Sequence, residues 1–182
     1  MKKLLTAFAA GLFASTTLFA ADAGESYLDR VGVGFAMQDV IKNDKFDAGS
    51  ALVLNAGKDI YSDIGLEIEG TIGLTKPEAK FAGQTHDVDF WSLGLYGTYI
   101  WKINRLSIKP RLGVVYESIK STLNIHTNSD AMGDSKTYKK DIAISGGIGA
   151  AFDLGDNYTI YTNYTKFEDD INQLTFGAEY KF

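Results

Sequence analysis

Apolar and polar side chains alternate along much of this chain. The clearest run places Ile64, Leu66 and Ile68 on one face and Glu67 and Glu69 on the other. Successive side chains of a β-strand point to opposite sides, so a period of two predicts a strand with one apolar and one polar face. The last nine residues, 174–182, repeat the pattern.

Eight segments with this alternation follow one another along the chain. A tilted strand of about 9–11 residues is long enough to cross a bilayer, and several of the segments reach that length. We expect the strands near residues 27–38, 52–56, 64–74, 90–101, 106–117, 142–152, 158–164 and 174–182. The pattern therefore predicts an all-β fold.

The connections between these segments alternate in length. Short gaps fall at residues 59–63, 102–105 and 153–157, and longer polar gaps fall at 39–49, 75–87, 119–140 and 166–173. Membrane barrels have tight periplasmic turns and longer external loops, whereas a soluble β-sandwich has no reason to alternate loop length so regularly. We therefore favour an eight-stranded antiparallel up-and-down transmembrane β-barrel over a soluble sandwich.

Pro110 is the residue most at odds with a regular barrel. It falls within the fifth predicted strand, between Lys109 and Arg111. Proline has no backbone N–H and removes one donor from a strand ladder. We expect Pro110 to lie at a distortion or a bulge.

The N-terminus has the organisation of a secretory signal peptide. Lys2 and Lys3 precede an apolar stretch that ends in small residues before Asp22. The stretch is shorter than the roughly 20 apolar residues of a spanning helix, which disfavours a membrane anchor. We predict a signal peptide over residues 1–20 and a single barrel domain over residues 21–182.

Composition narrows the class further. The chain has 19 glycines, 10 tyrosines and 11 phenylalanines but only 2 prolines, a composition that favours β-structure. Its formal net charge of -5 argues against a nucleic-acid partner. With no cysteine it can form neither a disulfide scaffold nor a thiolate metal site. We predict no cofactor and no metal.

The C-terminal strand carries a resemblance. Phe176, Tyr180 and the terminal Phe182 alternate as in the C-terminal signal by which outer-membrane barrels are recognised for assembly, and glycine-aromatic strings recur at residues 93–96, 112–116 and 148–152. The chain resembles the small OmpA- and OmpX-like outer-membrane barrels, often called porin-like. This resemblance implies the outer membrane of a Gram-negative cell, contact with its lipid and lipopolysaccharide, and insertion by the barrel assembly machinery.

The inward face of the predicted barrel is charged. An eight-stranded barrel is just wide enough to be filled by side chains, and buried charges are tolerated only when they are paired. The near balance of signs predicts an interlocked network that plugs the interior; a narrow path for small solutes is the alternative. The predicted inward charges are Arg30, Glu67, Glu69, Lys109, Arg111, Glu179 and Lys181.

The predicted loops offer weak candidates for chemistry. His86 and His126 are the only histidines and both fall in predicted external loops. Because some small barrels modify lipid A with a His-Ser pair, His126 beside Ser129 and Asp130 is a candidate. A catalytic pair must be held within about 3 Å, however, and this loop is rich in Ser, Asn, Asp and Gly. We therefore favour a non-catalytic protein over a lipid A-modifying enzyme.

The longest predicted loop, residues 119–140, is the candidate for a surface ligand. Residues 122–127 alternate again, so the fifth and sixth strands are expected to extend as a hairpin that turns near residues 128–133. An exposed hairpin can offer an unpaired edge for strand addition. The resulting hypothesis is an envelope or surface-interaction barrel that acts through its external loops.

Overall fold

A closed antiparallel sheet makes up the molecule. The computed structural model describes residues 27–40, 49–75, 78–81, 84–124, 135–167 and 171–182. Within them the strands are β1 (Arg30–Val40), β2 (Gly49–Tyr61), β3 (Ile64–Gly73), β4 (Glu78–Phe81), β5 (Gln84–Tyr99), β6 (Trp101–Ile103), β7 (Leu106–Asn124), β8 (Ser135–Gly155), β9 (Tyr158–Phe167) and β10 (Ile171–Lys181). No helix in these ranges is long and apolar enough to span a membrane.

The ten strands occupy eight positions around the barrel, and we call each position a stave. β4 pairs with β5 on the edge of β5 that β3 also uses, so β4 continues the β3 stave. β6 pairs with β7 in the register that β5 has already set, so β6 continues the β5 stave. The sheet closes where β1 pairs with β10, from Arg30 opposite Lys181 to Val40 opposite Ile171. The predicted eight-stranded antiparallel barrel is therefore confirmed.

Pro110 explains why the β5 stave is divided. The N–H of Asp153 donates to the carbonyl of Arg105. Backbone groups of successive residues in a strand point to alternate neighbours, so the odd-numbered residues of β7 bond to β8 and the even-numbered ones face β5. Pro110 therefore lacks its donor on the side of Tyr99, where β5 ends. The register is the same on both sides of this break, so the expected distortion is a missing ladder bond and not a bulge.

Three tight turns define one end of the barrel, which we call the turn end. They fall at residues 62–63, 104–105 and 156–157, as the sequence predicted. Ser62, Asn104, Asp156 and Asn157 have positive φ, a conformation that Asn and Asp tolerate because their short side chains bond to the local backbone. The opposite end is the loop end.

At the loop end the structure changes two of the predicted loops. Residues 166–173 were expected to be a long loop, but β9 continues to Phe167 and β10 begins at Ile171, which pairs with Phe167. The predicted loop 75–87 contains β4 and the start of β5, so His86 lies in a strand opposite Ala79 and Leu123. The expected extension of the fifth and sixth strands is confirmed by the pairing of Leu123 with Ser135.

The outer wall is apolar and the lumen is mostly polar. Outward side chains such as Val33, Leu66, Leu95 and Ile144 are exposed, while their neighbours in the chain are buried in the lumen. Aromatic rings lie at both ends of this outer surface. Tyr158, Tyr180 and Phe182 stack at the turn end, and Trp91 contacts Tyr116 nearer the loop end, with ring centroids 5.5 Å apart; all are outward-facing aromatics of the described strands.

Candidate functional site

Two strands that are separated by a single strand, β3 and β7, supply the centre of the charged interior. Glu67 and Glu69 point inward from β3, and Lys109 and Arg111 point inward from β7. β5 lies between these strands in the sheet, so the side chains meet across the lumen and not along a shared edge. All four are buried, at 5 % exposure or less.

Glu67 joins Lys109 and Arg111 of β7. One of its carboxylate oxygens lies 2.5 Å from Lys109 Nζ, and the other lies 2.9 Å from Arg111 Nη1. Arg30 Nη2 is 3.9 Å from the same carboxylate. Because three cations surround it, the buried charge of Glu67 is compensated by ion pairs.

Arg111 is held on several sides. Its two terminal nitrogens bond to the two oxygens of Glu69, at 2.6 and 3.2 Å, in the fork geometry that suits guanidinium and carboxylate. The hydroxyl of Thr165 accepts a further hydrogen bond from it. The ring of Tyr96 lies 4.5 Å from its Cζ, in cation–π contact, and the Tyr96 hydroxyl lies 3.2 Å from Ser145 Oγ.

The network continues toward the turn end. Lys109 Nζ also lies 3.3 Å from Glu179 Oε1, and Glu179 accepts a hydrogen bond from Asn55. Arg30 pairs with Asp59, which sequence analysis had not included. A cavity of about 110 Å³ lies at the turn-end side of the network and is lined in part by Arg30, Lys109 and Glu179. Arg30, Lys109 and Arg111 thus face four carboxylates, Asp59 and the three predicted ones, Glu67, Glu69 and Glu179.

Lys181 is the one predicted charge that does not join this buried network. Its ammonium lies 3.7 Å from Asp153, and its side chain is 40 % exposed. The physical reason is its position: it is the last residue of β10, at the turn-end rim where the wall stops. Glu117, buried on the inward face of β7, is a charge that the predicted set left out.

The turn-end rim has its own ion pair. Asp29 accepts hydrogen bonds from the Asp59 backbone N–H at 2.6 Å and from Lys58 Nζ at 3.0 Å. Partial burial acts to raise the pKa of Asp29, but these two donors and the nearby charges outweigh it and hold the pKa below its usual value. The carbonyl of Asp29 accepts from Phe182 N–H, which ties the end of the chain to the first strand.

An apolar layer lies in the lumen nearer the loop end. Phe90, Val115, Ala143, Phe167 and Ile171 form one buried cluster, and the rings of Phe90 and Phe167 meet edge to face with centroids 6.1 Å apart. The pattern of inward charges alone does not reveal this layer. Continuing the alternation of β5 inward from Ser92 would have found Phe90.

The predicted assembly residues lie together on the outer wall. Phe176, Tyr180 and Phe182 point outward from β10, and the Tyr180 ring contacts both Tyr158 and Phe182. The candidate catalytic residues His126, Ser129 and Asp130 lie outside the described residues. Within the described part of the chain no group of three or more acidic, histidine or cysteine side chains could hold a metal ion.

A closed eight-stranded barrel with an apolar outer wall and a polar lumen defines the class of transmembrane β-barrels, in which every backbone group is bonded within the sheet. Residues 5–182 match the family described as outer membrane protein beta-barrel domain. The chain belongs to this family, which confirms the resemblance and places the protein in the outer membrane. No curated protein sequence matches it.

Solved structures agree on the fold. The crystal structure of the outer membrane protein OprG from Pseudomonas aeruginosa is 14% identical with a TM-score of 0.64, covering 85% of this chain and 96% of that one. Ail, the attachment invasion locus protein of Yersinia pestis, is 19% identical with a TM-score of 0.56, covering 85% and 99%. The N-terminal barrel domain of Pseudomonas aeruginosa OprF is 13% identical with a TM-score of 0.56, covering 85% and 98%.

Proposed function

We propose that this protein is a non-catalytic outer-membrane barrel whose interior is plugged and whose activity lies in its extracellular part, in envelope structure or surface interaction. The observation that carries the proposal is the ion-pair network that Glu67 and Glu69 form across the lumen with Lys109 and Arg111. Charges that are paired with each other bind a passing ion poorly, because each pair would have to be broken first.

The apolar layer around Phe90 and Phe167 supports the same proposal. It lies in the lumen on the loop-end side of the charges, so a solute that passed the network would next meet apolar side chains. Two barriers of different chemistry in series make a stronger plug than either alone.

The second candidate is a narrow channel for small solutes. The cavity at the turn end favours it, because Arg30, Lys109 and Glu179 of the charged network line it. The channel would need the pairs above that cavity to open. This alternative and the plug predict opposite outcomes in a transport assay.

Export and insertion complete the proposal. Residues 1–20 act as the signal peptide, and Phe176, Tyr180 and Phe182 are the contacts that the barrel assembly machinery reads. Outward side chains of the described strands contact lipid, and the extracellular end contacts lipopolysaccharide. Catalysis is no part of the proposal, since His126 and Ser129 belong to a segment of Ser, Asn, Asp and Gly with no rigid support in its sequence.

The proposal is tested by swelling of liposomes that contain the refolded protein. We expect no swelling above that of empty liposomes in any small sugar or amino acid. The double substitution of Glu67 and Glu69 by alanine should lower the unfolding midpoint, because it leaves Arg111 buried without a carboxylate and Lys109 with Glu179 alone. Unchanged stability together with rapid swelling of the variant would contradict the plug and favour the channel.

A further inference from the structure

One edge of β8 continues beyond its last partner. β8 pairs with β7 from Ser135 to Phe152, but with β9 only from Ser145 onward, where β9 ends at Phe167. Residues 135–144 therefore have a ladder on one side, and no strand of the described ranges pairs with the other. The two ladders of β8 differ by ten residues at the loop end.

The backbone groups on this edge can be assigned. Odd-numbered residues of β8 bond to β7, because Asp153 donates to Arg105 and ladder groups alternate sides along a strand. Lys136, Tyr138 and Lys140 therefore direct their N–H and C=O groups toward the unpaired side. An incoming strand would find them at the spacing of a regular antiparallel ladder.

Residues 135–141 of this edge stand outside the lipid. The outward apolar positions of β8 run from Ile142 to Leu154. At about 3.3 Å per residue and a tilt of about 40°, this length spans about 30 Å along the membrane normal. That is enough to cross an apolar band of about 25 Å. Residues 135–141 lie beyond it on the loop-end side. In such barrels the short turns face the periplasm, so this edge is extracellular.

The charge of the edge selects its partner. Residues 135–141 contain three lysines, Lys136, Lys139 and Lys140, and one acidic residue, Asp141, although the whole chain has a net charge of -5. Pairing of this edge with the same edge of a second copy would set lysines against lysines, which is unfavourable for residues directly opposite each other. An acidic strand is attracted instead.

We infer that the edge of β8 at residues 135–141 binds an extended, acidic peptide segment of another protein, which adds as an antiparallel strand where β9 stops. The inference rests on the proposed surface-interaction function and names its site and its partner chemistry. Main-chain hydrogen bonds supply the affinity of such an interaction and the lysines its selectivity.

The test uses the full-length mature barrel in phosphatidylcholine nanodiscs without lipopolysaccharide. The probe is a fluorescent peptide of about ten residues in which valine and glutamate alternate, and its control has lysine in place of glutamate. Fluorescence anisotropy should report binding of the acidic peptide alone, and binding should weaken as salt is raised.

Two variants separate strand addition from simple charge attraction. Tyr138→Pro removes one N–H from the unpaired edge, while the odd-numbered residues on either side keep their hydrogen bonds to β7. The substitution should weaken binding of the acidic peptide by about tenfold. Tyr138→Val keeps the N–H and should bind like the unaltered protein. Equal binding by both variants would mean that the lysines act as a general anion site, as for lipid phosphates, and would overturn the inference.

The outcomes also separate this inference from the plug. No binding of the acidic peptide to a barrel that remains closed to solutes would overturn strand addition and leave the plugged interior standing. Binding to a barrel that proves to be a channel would overturn the plug alone. Stronger binding of the lysine peptide would refute the charge argument.

Discussion

Arg111 and Glu69 face each other across the lumen in a two-pronged ion pair, with nitrogen–oxygen distances of 2.6 and 3.2 Å and side chains that are almost fully buried. Their strands, β7 and β3, are separated in the sheet by β5. The pair therefore braces the barrel from inside, in addition to the hydrogen-bonded wall.

Removal of the guanidinium should be costly. In Arg111→Met, Glu69 loses its fork partner and Glu67 one of its cations, and we expect the free energy of unfolding to fall by about 3–5 kcal/mol, the range for breaking a buried pair. Urea unfolding in lipid vesicles measures this. Lys181→Met is the matched control, because it removes a cation that lies exposed at the rim, and it should change stability little. Equal effects of the two substitutions would contradict a buried brace.

The apolar layer near the loop end should be sensitive to volume. Phe167→Ala removes a ring that is 1 % exposed and packs on Phe90, and we expect a loss of about 3–5 kcal/mol. Phe167→Leu keeps most of the volume and should cost less than about 1.5 kcal/mol. Unfolding midpoints of the two variants provide the comparison, and a harmless Phe167→Ala would show that the layer is loosely packed.

Gly94 makes room for the aromatic ring beside Arg111. A Cβ at Gly94 would lie 2.5 Å from the Tyr96 ring, so Gly94→Ala should displace that ring and weaken its contact with Arg111. We expect a destabilisation of about 1–3 kcal/mol. The control is Gly97→Ala on the same strand, whose Cβ would meet its nearest neighbour, the carbonyl of Leu112, at an ordinary 3.7 Å. Near-ultraviolet circular dichroism should change in the first variant only.

Asp29 gives the turn end a dependence on pH. Its pKa is lower in the folded state than the ordinary value of 3.8, so the ionised carboxylate stabilises the fold above that value and the contribution is lost as pH falls through the folded pKa. Asp29→Asn should therefore be less stable than the unaltered protein at neutral pH, and the difference should shrink in acid. Unfolding curves at several pH values measure it; a difference that grew in acid would have the wrong sign.

Alternation along the chain was enough to predict the fold because each wall residue faces either lipid or lumen. It identified Glu67, Glu69, Lys109 and Arg111 as inward from sequence alone. It could not place Lys181, because the same alternation continues to the rim, where the lumen ends and an inward residue meets solvent.

The errors at the loop end have a different cause. Residues 166–173 are polar enough to suggest a loop, yet Phe167 and Ile171 continue the inward rows and pair with each other. Strand pairing beyond the membrane does not require apolar side chains on the outer face, so hydrophobic alternation no longer predicts strands there. The sequence predicted an exposed hairpin with an unpaired edge, but it could not say which side of β8 is unpaired or over how many residues, because that depends on where β9 stops.

The central claim is that the interior is plugged, and planar-bilayer recording of the refolded protein tests it most directly. The network around Glu67 and the layer around Phe90 predict a flat baseline, without stepwise current, at any voltage that the bilayer tolerates. Regular single-channel steps from the unaltered, fully folded barrel would contradict the account.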